Sequence, residues 1–192
     1  MYIKLPMTAE TWEHLGLAGT HRTGRIIIHP DDPNSIWVAA AGALYSPTED
    51  RGVYKTTDGG KTWNKTLYID NETGVIDLVI DPKNPDVLYA SSWYRTRRAW
   101  NFVESGKTSG IYKSVDGGET WQLISTEENG FPTGEGVGRI GLAVYDNDPN
   151  IVYAFLDSQF HRDEEKEDYV VTKDLLRGMT RDAISWLSIR KI

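Results

Sequence analysis

The sequence contains no cysteine. Disulfides, thiolate metal sites and cysteine nucleophiles are therefore excluded, although the compartment is not, because exported proteins also lack cysteine. No apolar run approaches the roughly 20 residues that a membrane-spanning helix needs. Met1-Tyr2-Ile3-Lys4-Leu5-Pro6 leads into no apolar stretch, so no signal peptide is expected. Positive charge is in deficit. The 21 Lys and Arg against 28 Asp and Glu leave a net charge of -7, which argues against nucleic acid or an anionic membrane as main partner. Four histidines, His14, His21, His29 and His161, show no metal-ligand spacing. Asp31-Asp32-Pro33-Asn34 and Asp146-Asn147-Asp148-Pro149 lack the ligand spacing of a calcium loop and read as turns. Gly-x-Ser-x-Gly, phosphate-cradling loops and dinucleotide fingerprints are missing. Neither a metal nor a cofactor is expected.

What the chain does have is aromatic weight and repetition. It carries 7 Trp and 10 Tyr in 192 residues, enough length for one domain with a sizeable core. Thr56-Thr57-Asp58-Gly59-Gly60-Lys61-Thr62-Trp63 recurs as Ser114-Val115-Asp116-Gly117-Gly118-Glu119-Thr120-Trp121, 58 residues later. Gly52-Val53-Tyr54-Lys55 precedes the first copy and Gly110-Ile111-Tyr112-Lys113 the second. Asp-Gly-Gly between two β-like runs signals a hairpin, because glycine accepts the positive φ that a tight turn needs. The aspartate is placed to accept hydrogen bonds from turn amides, and the Ser/Thr hydroxyls to tie the ends. Each tryptophan has about 150–250 Å² to bury, an upper bound of roughly 4–6 kcal/mol.

These two segments resemble the Asp box, or BNR repeat, of sialidases, xyloglucanases and the sortilin ectodomain. The resemblance implies a β-propeller in which Thr56, Asp58, Gly60, Thr62 and Trp63, with Ser114, Asp116, Gly118, Thr120 and Trp121, are structural residues at an outer-strand turn. It does not extend to the sialidase chemistry, since the arginine triad and tyrosine nucleophile of that family cannot be placed here. Glu10-Thr11-Trp12 matches only the tail of a third box, with Leu5, Met7 and Ala9 at the expected Ser, Asp and Gly positions. Glu13-His14-Leu15-Gly16-Leu17 is then the remnant of an outer strand.

A second repeat supports the same architecture. Ile26-Ile27-Ile28, Leu78-Val79-Ile80 and Leu142-Ala143-Val144 each run into a turn carrying a proline, Pro33, Pro85 and Pro149. A second strand follows each: Ile36–Ala39, Val87–Ala90 and Ile151–Ala154. Four short strands per repeat is the pattern of a propeller blade. It predicts strands at 25–28, 35–40, 52–56 and 62–68, then 76–80, 87–92, 110–114 and 120–125, with a third blade beginning at 139–145 and 151–157. The expected fold is all-β, about two and a half blades of four antiparallel strands, over 1–160. The innermost strands should be packed on both faces. Because closed propellers use about four to eight blades, further blades or self-association are expected as partners. Residues 161–192 read as a charged linker, His161–Asp168, followed by short helices at 172–177 and 180–187, each opened by a Thr cap. The parent family implied by the resemblance is often exported.

Function is expected on the face opposite the box turns, where 41–51, 93–109 and the segments before the inner strands collect. Arg25, Asp77 and Arg139 hold equivalent inner positions and form either inter-blade salt bridges or a site for a polar or anionic ligand. Asp77 is a weaker candidate as one of a glycosidase's paired carboxylates, with Glu49, Asp50 or Glu135 as the other. The loop Trp93–Phe102 offers Arg95, Arg97, Arg98 and Trp100, residues suited to stacking on sugars or peptides and gripping carboxylates. Its alternative reading is a loop folded back over the channel, with aromatics packed and arginines paired. The preferred reading is a non-catalytic binding propeller, similar to the sortilin ectodomain, that takes a peptide or carbohydrate. The alternative is part of a xyloglucanase-like glycoside hydrolase.

Overall fold

The computed structural model describes residues 13–159 in full, together with the backbone of two further strands, Ile3–Lys4 and Ile184–Arg190. In chain order the strands are β1 (Ile3–Lys4), β2 (Glu13–His14), β3 (Thr23–Ile28), β4 (Ile36–Ala40), β5 (Gly52–Thr56), β6 (Asn64–Leu67), β7 (Thr73–Asp81), β8 (Asn84–Tyr94), β9 (Thr96–Arg97), β10 (Phe102–Val103), β11 (Gly110–Ser114), β12 (Gln122–Leu123), β13 (Val137–Val144), β14 (Ile151–Ser158) and β15 (Ile184–Arg190). They form antiparallel meanders, β3-β4-β5-β6, β7-β8-β11-β12 and β13-β14-β15, plus the small pairs β1-β2 and β9-β10. The chain is all-β and built of propeller blades.

Alternation along the second strand of each blade explains the stacking. In β4, Trp37 and Ala39 turn toward the second blade, where they join Val53, Val75, Leu78, Leu88 and Ala90 in one buried cluster. Val38 and Ala40 turn the other way and pack with Tyr54, Leu15, Leu17 and Trp63. In β8, Leu88 and Ala90 face back toward the first blade while Val87 and Tyr89 face the third, meeting Ile140, Leu142, Val152 and Ala154. Period-two side-chain direction thus gives each blade two apolar faces, and each face needs a neighbour.

The inner strands share one irregularity. The pairing register slips between Thr23 and Arg25, between Val75 and Asp77, and between Val137 and Ile140. A bulge at the same level of three consecutive blades re-aims the residue beside it. That residue is Arg25 in β3 and Asp77 in β7, and Arg139 lies within the slip in β13. The inner strands are not equally covered. β7 is buried or half-buried along its length, whereas Ile26 and Ile28 of β3 are 46% and 57% exposed.

The eight-residue corners close as hairpins through their side chains. Asp58 accepts from the Thr62 amide at 2.9 Å, the Thr62 hydroxyl at 2.7 Å and the Thr56 hydroxyl at 2.7 Å. Asp116 repeats this with Thr120 at 2.9 and 2.5 Å and with Ser114 at 2.7 Å. The Thr56 and Ser114 hydroxyls in turn accept the amides of Gly60 and Gly118. Each corner is also tied to the proline turn of its own blade, Gly59 N–H to Asn34 O and Gly117 N–H to Asp86 O, so both turn types lie on one face.

Tryptophan then links the blades. Trp37 Nε1 donates to Gly117 O at 2.9 Å across the first interface, and Trp121 Nε1 reaches Thr66 Oγ1 at 3.2 Å across the same one. Trp63 Nε1 donates to Leu15 O at 2.7 Å. Leu15 follows Trp12 by three residues, as Thr66 follows Trp63, so 13–17 occupies the place that an outer strand of a preceding blade would. Trp63 and Trp121 are only half-buried, less than the sequence estimate allowed. Among the described residues the fully buried indole is Trp37, at 1% exposure.

The tail departs from expectation. Of the helix expected at 180–187 the described part, from Ile184 on, is strand: Ile184–Arg190 pairs with β14 from Asp157↔Ile184 to Ile151↔Arg190. The free edge of β14 offers a row of unpaired backbone groups, and pairing along it overrides a local helix preference. Among the described residues the third blade therefore has three strands. The helix expected at 172–177, the linker 161–168 and the partial box ending at Trp12 lie outside the described residues.

Two outcomes follow from the corners. Gly118 has φ +79°, and an added Cβ would stand 2.6 Å from Trp37 Nε1. Gly118→Ala should destabilise the chain by about 1–3 kcal/mol, read as a lowered urea midpoint. The second outcome concerns acid. Asp58 is held well below the usual carboxylate range, first by the Thr62 amide and then by the Thr62 and Thr56 hydroxyls. Asp116 is depressed likewise, first by the Thr120 hydroxyl, then by its amide and Ser114. Groups depressed on folding stabilise above their unfolded pKa of about 4 and lose that contribution as pH falls below it. The urea midpoint should drop below about pH 4, and Asp58→Asn/Asp116→Asn should show a lower midpoint at neutral pH with a shallower acid drop.

Candidate functional site

The opposite face collects the loops that join β4 to β5 and β8 to β11, and those that lead into each inner strand. Backbone hydrogen bonds sew them together: Ala41 N–H to Arg22 O, Thr48 N–H to Asn71 O, Arg95 N–H to Glu72 O, and Gly106 N–H to Val137 O. Asp70 builds the turn into β7, accepting from the amides of Glu72 and Thr73 and from the Thr73 hydroxyl.

Arg51 organises the first of these loops. It is 2% exposed, and its guanidinium donates to the carbonyls of Ala41, Asn71, Ala43 and Ser46. Burial pushes it down in pKa, opposed by the charges of Asp70 and Glu72. Nothing in the sequence marked it, since an arginine before a β-strand is ordinarily a solvated one.

Among the sequence candidates, Arg25 and Asp77 meet, with Arg25 Nε 3.0 Å from Asp77 Oδ1. Asp77 Oδ1 also accepts from Leu78 N at 2.9 Å, and its Oδ2 accepts from Leu142 N at 2.9 Å. One carboxylate thus joins the inner strands of three blades. Arg139 is turned elsewhere, with its guanidinium 6.0 Å from the Trp93 ring centre. Of the suggested partners for Asp77, Glu135 pairs with Lys107 at 3.2 Å and Asp50 accepts from the Thr48 hydroxyl.

The loop 93–103 folds into the β9-β10 hairpin, with Arg97 opposite Phe102 and Arg98 N–H bonded to Asn101 O across the turn. The Arg97 guanidinium lies 4.8 Å from the Phe102 ring centre. Trp100, at the tip, is 86% exposed. Arg98 reaches toward Tyr45 O at 3.4 Å. Between the hairpin and 44–47 lies an open depression walled by Tyr45, Pro47, Glu72, Thr96, Arg97 and Arg98. Arg95, two residues before Arg97, is 6% exposed, and its guanidinium lies 5.1 Å from the Trp93 ring centre. The Trp93 indole donates to Glu104 O at 2.6 Å. The Glu104 carboxyl is raised by burial and by Asp157, against the opposing charge of Arg97. Aromatics and guanidinium groups therefore alternate on this face, and such a surface suits stacking and charge-assisted hydrogen bonding.

No family model matches the chain. Over 110 residues, 55% of the chain, it is 26% identical to a probable oligoxyloglucan-reducing end-specific xyloglucanase of Neosartorya fischeri, of which it covers 11%. Over 114 residues, 57% of the chain, it is 26% identical to nitrate reductase (NADH) 1 of Nicotiana tabacum, of which it covers 12%. The chain thus spans about one-ninth of the length of these curated relatives. Among solved structures, it aligns with the GH74 xyloglucanase from Xanthomonas campestris at TM-score 0.47 and 17% identity, covering 69% of this chain and 18% of that one. It aligns with the Niastella koreensis GH74 enzyme at TM-score 0.49 and 18% identity, covering 81% and 23%. The chain is similar to xyloglucanase-type glycoside hydrolases. The fold rests on the strand pairing and inter-blade contacts above rather than on these scores.

The geometry separates the two members of the inner ion pair. Arg25 has a half-exposed side chain, whereas that of Asp77 is 13% exposed and also satisfies a neighbouring blade's amide. Arg25→Ala should cost less than about 1 kcal/mol. Asp77→Ala, which strands the Leu142 N–H, should cost about 1–3 kcal/mol, and paired urea titrations would order the two.

Proposed function

We propose that the chain is a segment of a larger Asp-box propeller whose hairpin face binds a polysaccharide without cleaving it. The observation that carries this reading is Trp100, 86% exposed at a hairpin tip, with Tyr45 at 62% across the depression. A large aromatic held out in water on an ordered turn is favourable when a ligand face covers it, and the C–H face of a sugar ring does so. The similarity to a xyloglucanase supports a polysaccharide over a peptide. The corner hydrogen bonds support the Asp-box reading, and the exposed Ile26 and Ile28 support a further blade, or a second copy, against β3.

Asp77 favours binding without cleavage. Both its oxygens already accept hydrogen bonds, from Arg25, Leu78 and Leu142, which suits a linker between blades better than an acid or base meeting substrate. The relatives' xyloglucanase activity favours a second reading, in which the chain is part of a glycoside hydrolase with Asp77 as one of its carboxylates.

Native electrophoresis through gels containing neutral or acidic soluble polysaccharides separates the readings. The full chain should be retarded, and Trp100→Ala should weaken binding by up to about tenfold, the scale of one aromatic contact. Release of reducing ends that Asp77→Asn abolishes would establish the hydrolase reading instead.

A further inference from the structure

The charge around Arg95 is out of balance. Its side chain is nine-tenths buried, its Nε has no hydrogen-bond partner, and its Nη2 reaches only the Ala43 carbonyl, at 3.4 Å. Among the described residues no carboxylate forms an ion pair with it. Burial first, and then the charges of Arg51, Arg22 and Arg97, push it down to about 10, so the surroundings add positive charge where a buried cation needs negative. Arg97 and Arg98 extend the cluster into the wall of the depression. The acids close by are committed elsewhere. Asp70 accepts from Thr73 and from the Glu72 amide, and Glu72 accepts from the Tyr94 hydroxyl at 3.2 Å. A chain of net charge -7 has thus gathered five arginines, Arg22, Arg51, Arg95, Arg97 and Arg98, around one loop face. The Trp93 ring and one long hydrogen bond answer Arg95 only in part; a buried cation without a carboxylate is costly, and an anion supplied from outside relieves that cost.

We propose that the depression between 44–47 and the β9-β10 hairpin binds the carboxylate of an acidic polysaccharide, a uronate chain, through Arg97 and Arg98, with the buried charge of nearby Arg95 adding to theirs. This inference rests on the reading of the face as polysaccharide-binding and adds the ligand's charge. A guanidinium fork matches a planar carboxylate. The exposed rings of Trp100 and Tyr45 match the pyranose that carries it. A free phosphate would engage the forks and leave the rings uncovered.

The test titrates the full chain with polygalacturonate, with its fully methyl-esterified form and with inorganic phosphate, at low ionic strength. Polygalacturonate should bind at least about tenfold tighter than the ester, and the preference should shrink as salt rises from about 20 to about 200 mM. The net charge alone would repel the acidic polymer, so simple electrostatics predicts the opposite order. Arg97→Gln/Arg98→Gln should abolish the preference with Tm unchanged. Arg95→Met should weaken it while leaving Tm unchanged or raised, since it removes an unpaired buried charge. Equal affinity for acid and ester overturns this inference and leaves the polysaccharide reading standing. A preference that survives Arg97→Gln/Arg98→Gln also overturns it. Binding of neither polymer, with or without a response to phosphate, overturns both.

Discussion

A carboxylate wrapped by the hydroxyls and amides of its own turn is the interaction on which this structure depends. Asp58 and Asp116 each gather donors from the residues before and after Gly-Gly. Together with the Thr56 and Ser114 hydroxyls on the Gly60 and Gly118 amides, and the proline turns on the Gly59 and Gly117 amides, this fixes the path of the two glycines. The consequence is felt one blade away. Gly117 must present its carbonyl to Trp37, and Gly118 must pass close beneath the same indole. A corner of another shape would leave the buried Trp37 N–H without an acceptor and open a gap between sheets, where dispersion contacts are lost outright. The corner is therefore a local device with an inter-blade effect.

Much of this was legible in the sequence because it is local or repeated. Asp-Gly-Gly-x-Thr-Trp specifies its own hydrogen bonds, and the apolar run ending in a proline turn marks two strands of each blade within a few residues. The equivalence of Arg25 and Asp77 was readable from repeat position, and the shared bulge explains why both emerge at the same level. What escaped depends on distant partners. Trp37 can be fully buried because its indole N–H finds an acceptor 80 residues on, a relation that no pattern within one repeat encodes. β15 joins the sheet because β14 has an edge to satisfy, and this outweighs the Thr cap that spelled helix. Arg51 is buried because four carbonyls converge on it.

The two faces of the blades hold charge differently. On the corner face the two aspartates are answered by their own turns, and Lys55 by Glu119 at 2.6 Å. On the hairpin face five arginines gather around one loop cluster, while Asp70 is spent on loop amides and Glu72 on the Tyr94 hydroxyl. The same aromatic residues change role with the face. Trp37, Trp63 and Trp121 use their N–H groups to join neighbours, whereas Trp100 leaves its ring in water. The candidate site of the sequence reading thus divides into an inter-blade seam, Arg25 with Asp77, and an open surface, Arg97, Arg98 and Trp100.

Hydrogen exchange at individual sites tests the corner most directly. If the aspartate-locked turns hold successive blades together, the Gly60 and Gly118 amides and the Trp37 indole N–H will exchange only through global unfolding, with equal free energies of opening. The Trp100 indole will exchange freely. Exchange of Gly118 and Trp37 as fast as Trp100, in a chain whose β4 and β8 amides stay protected, would show that the corners are ornament on sheets that stand without them.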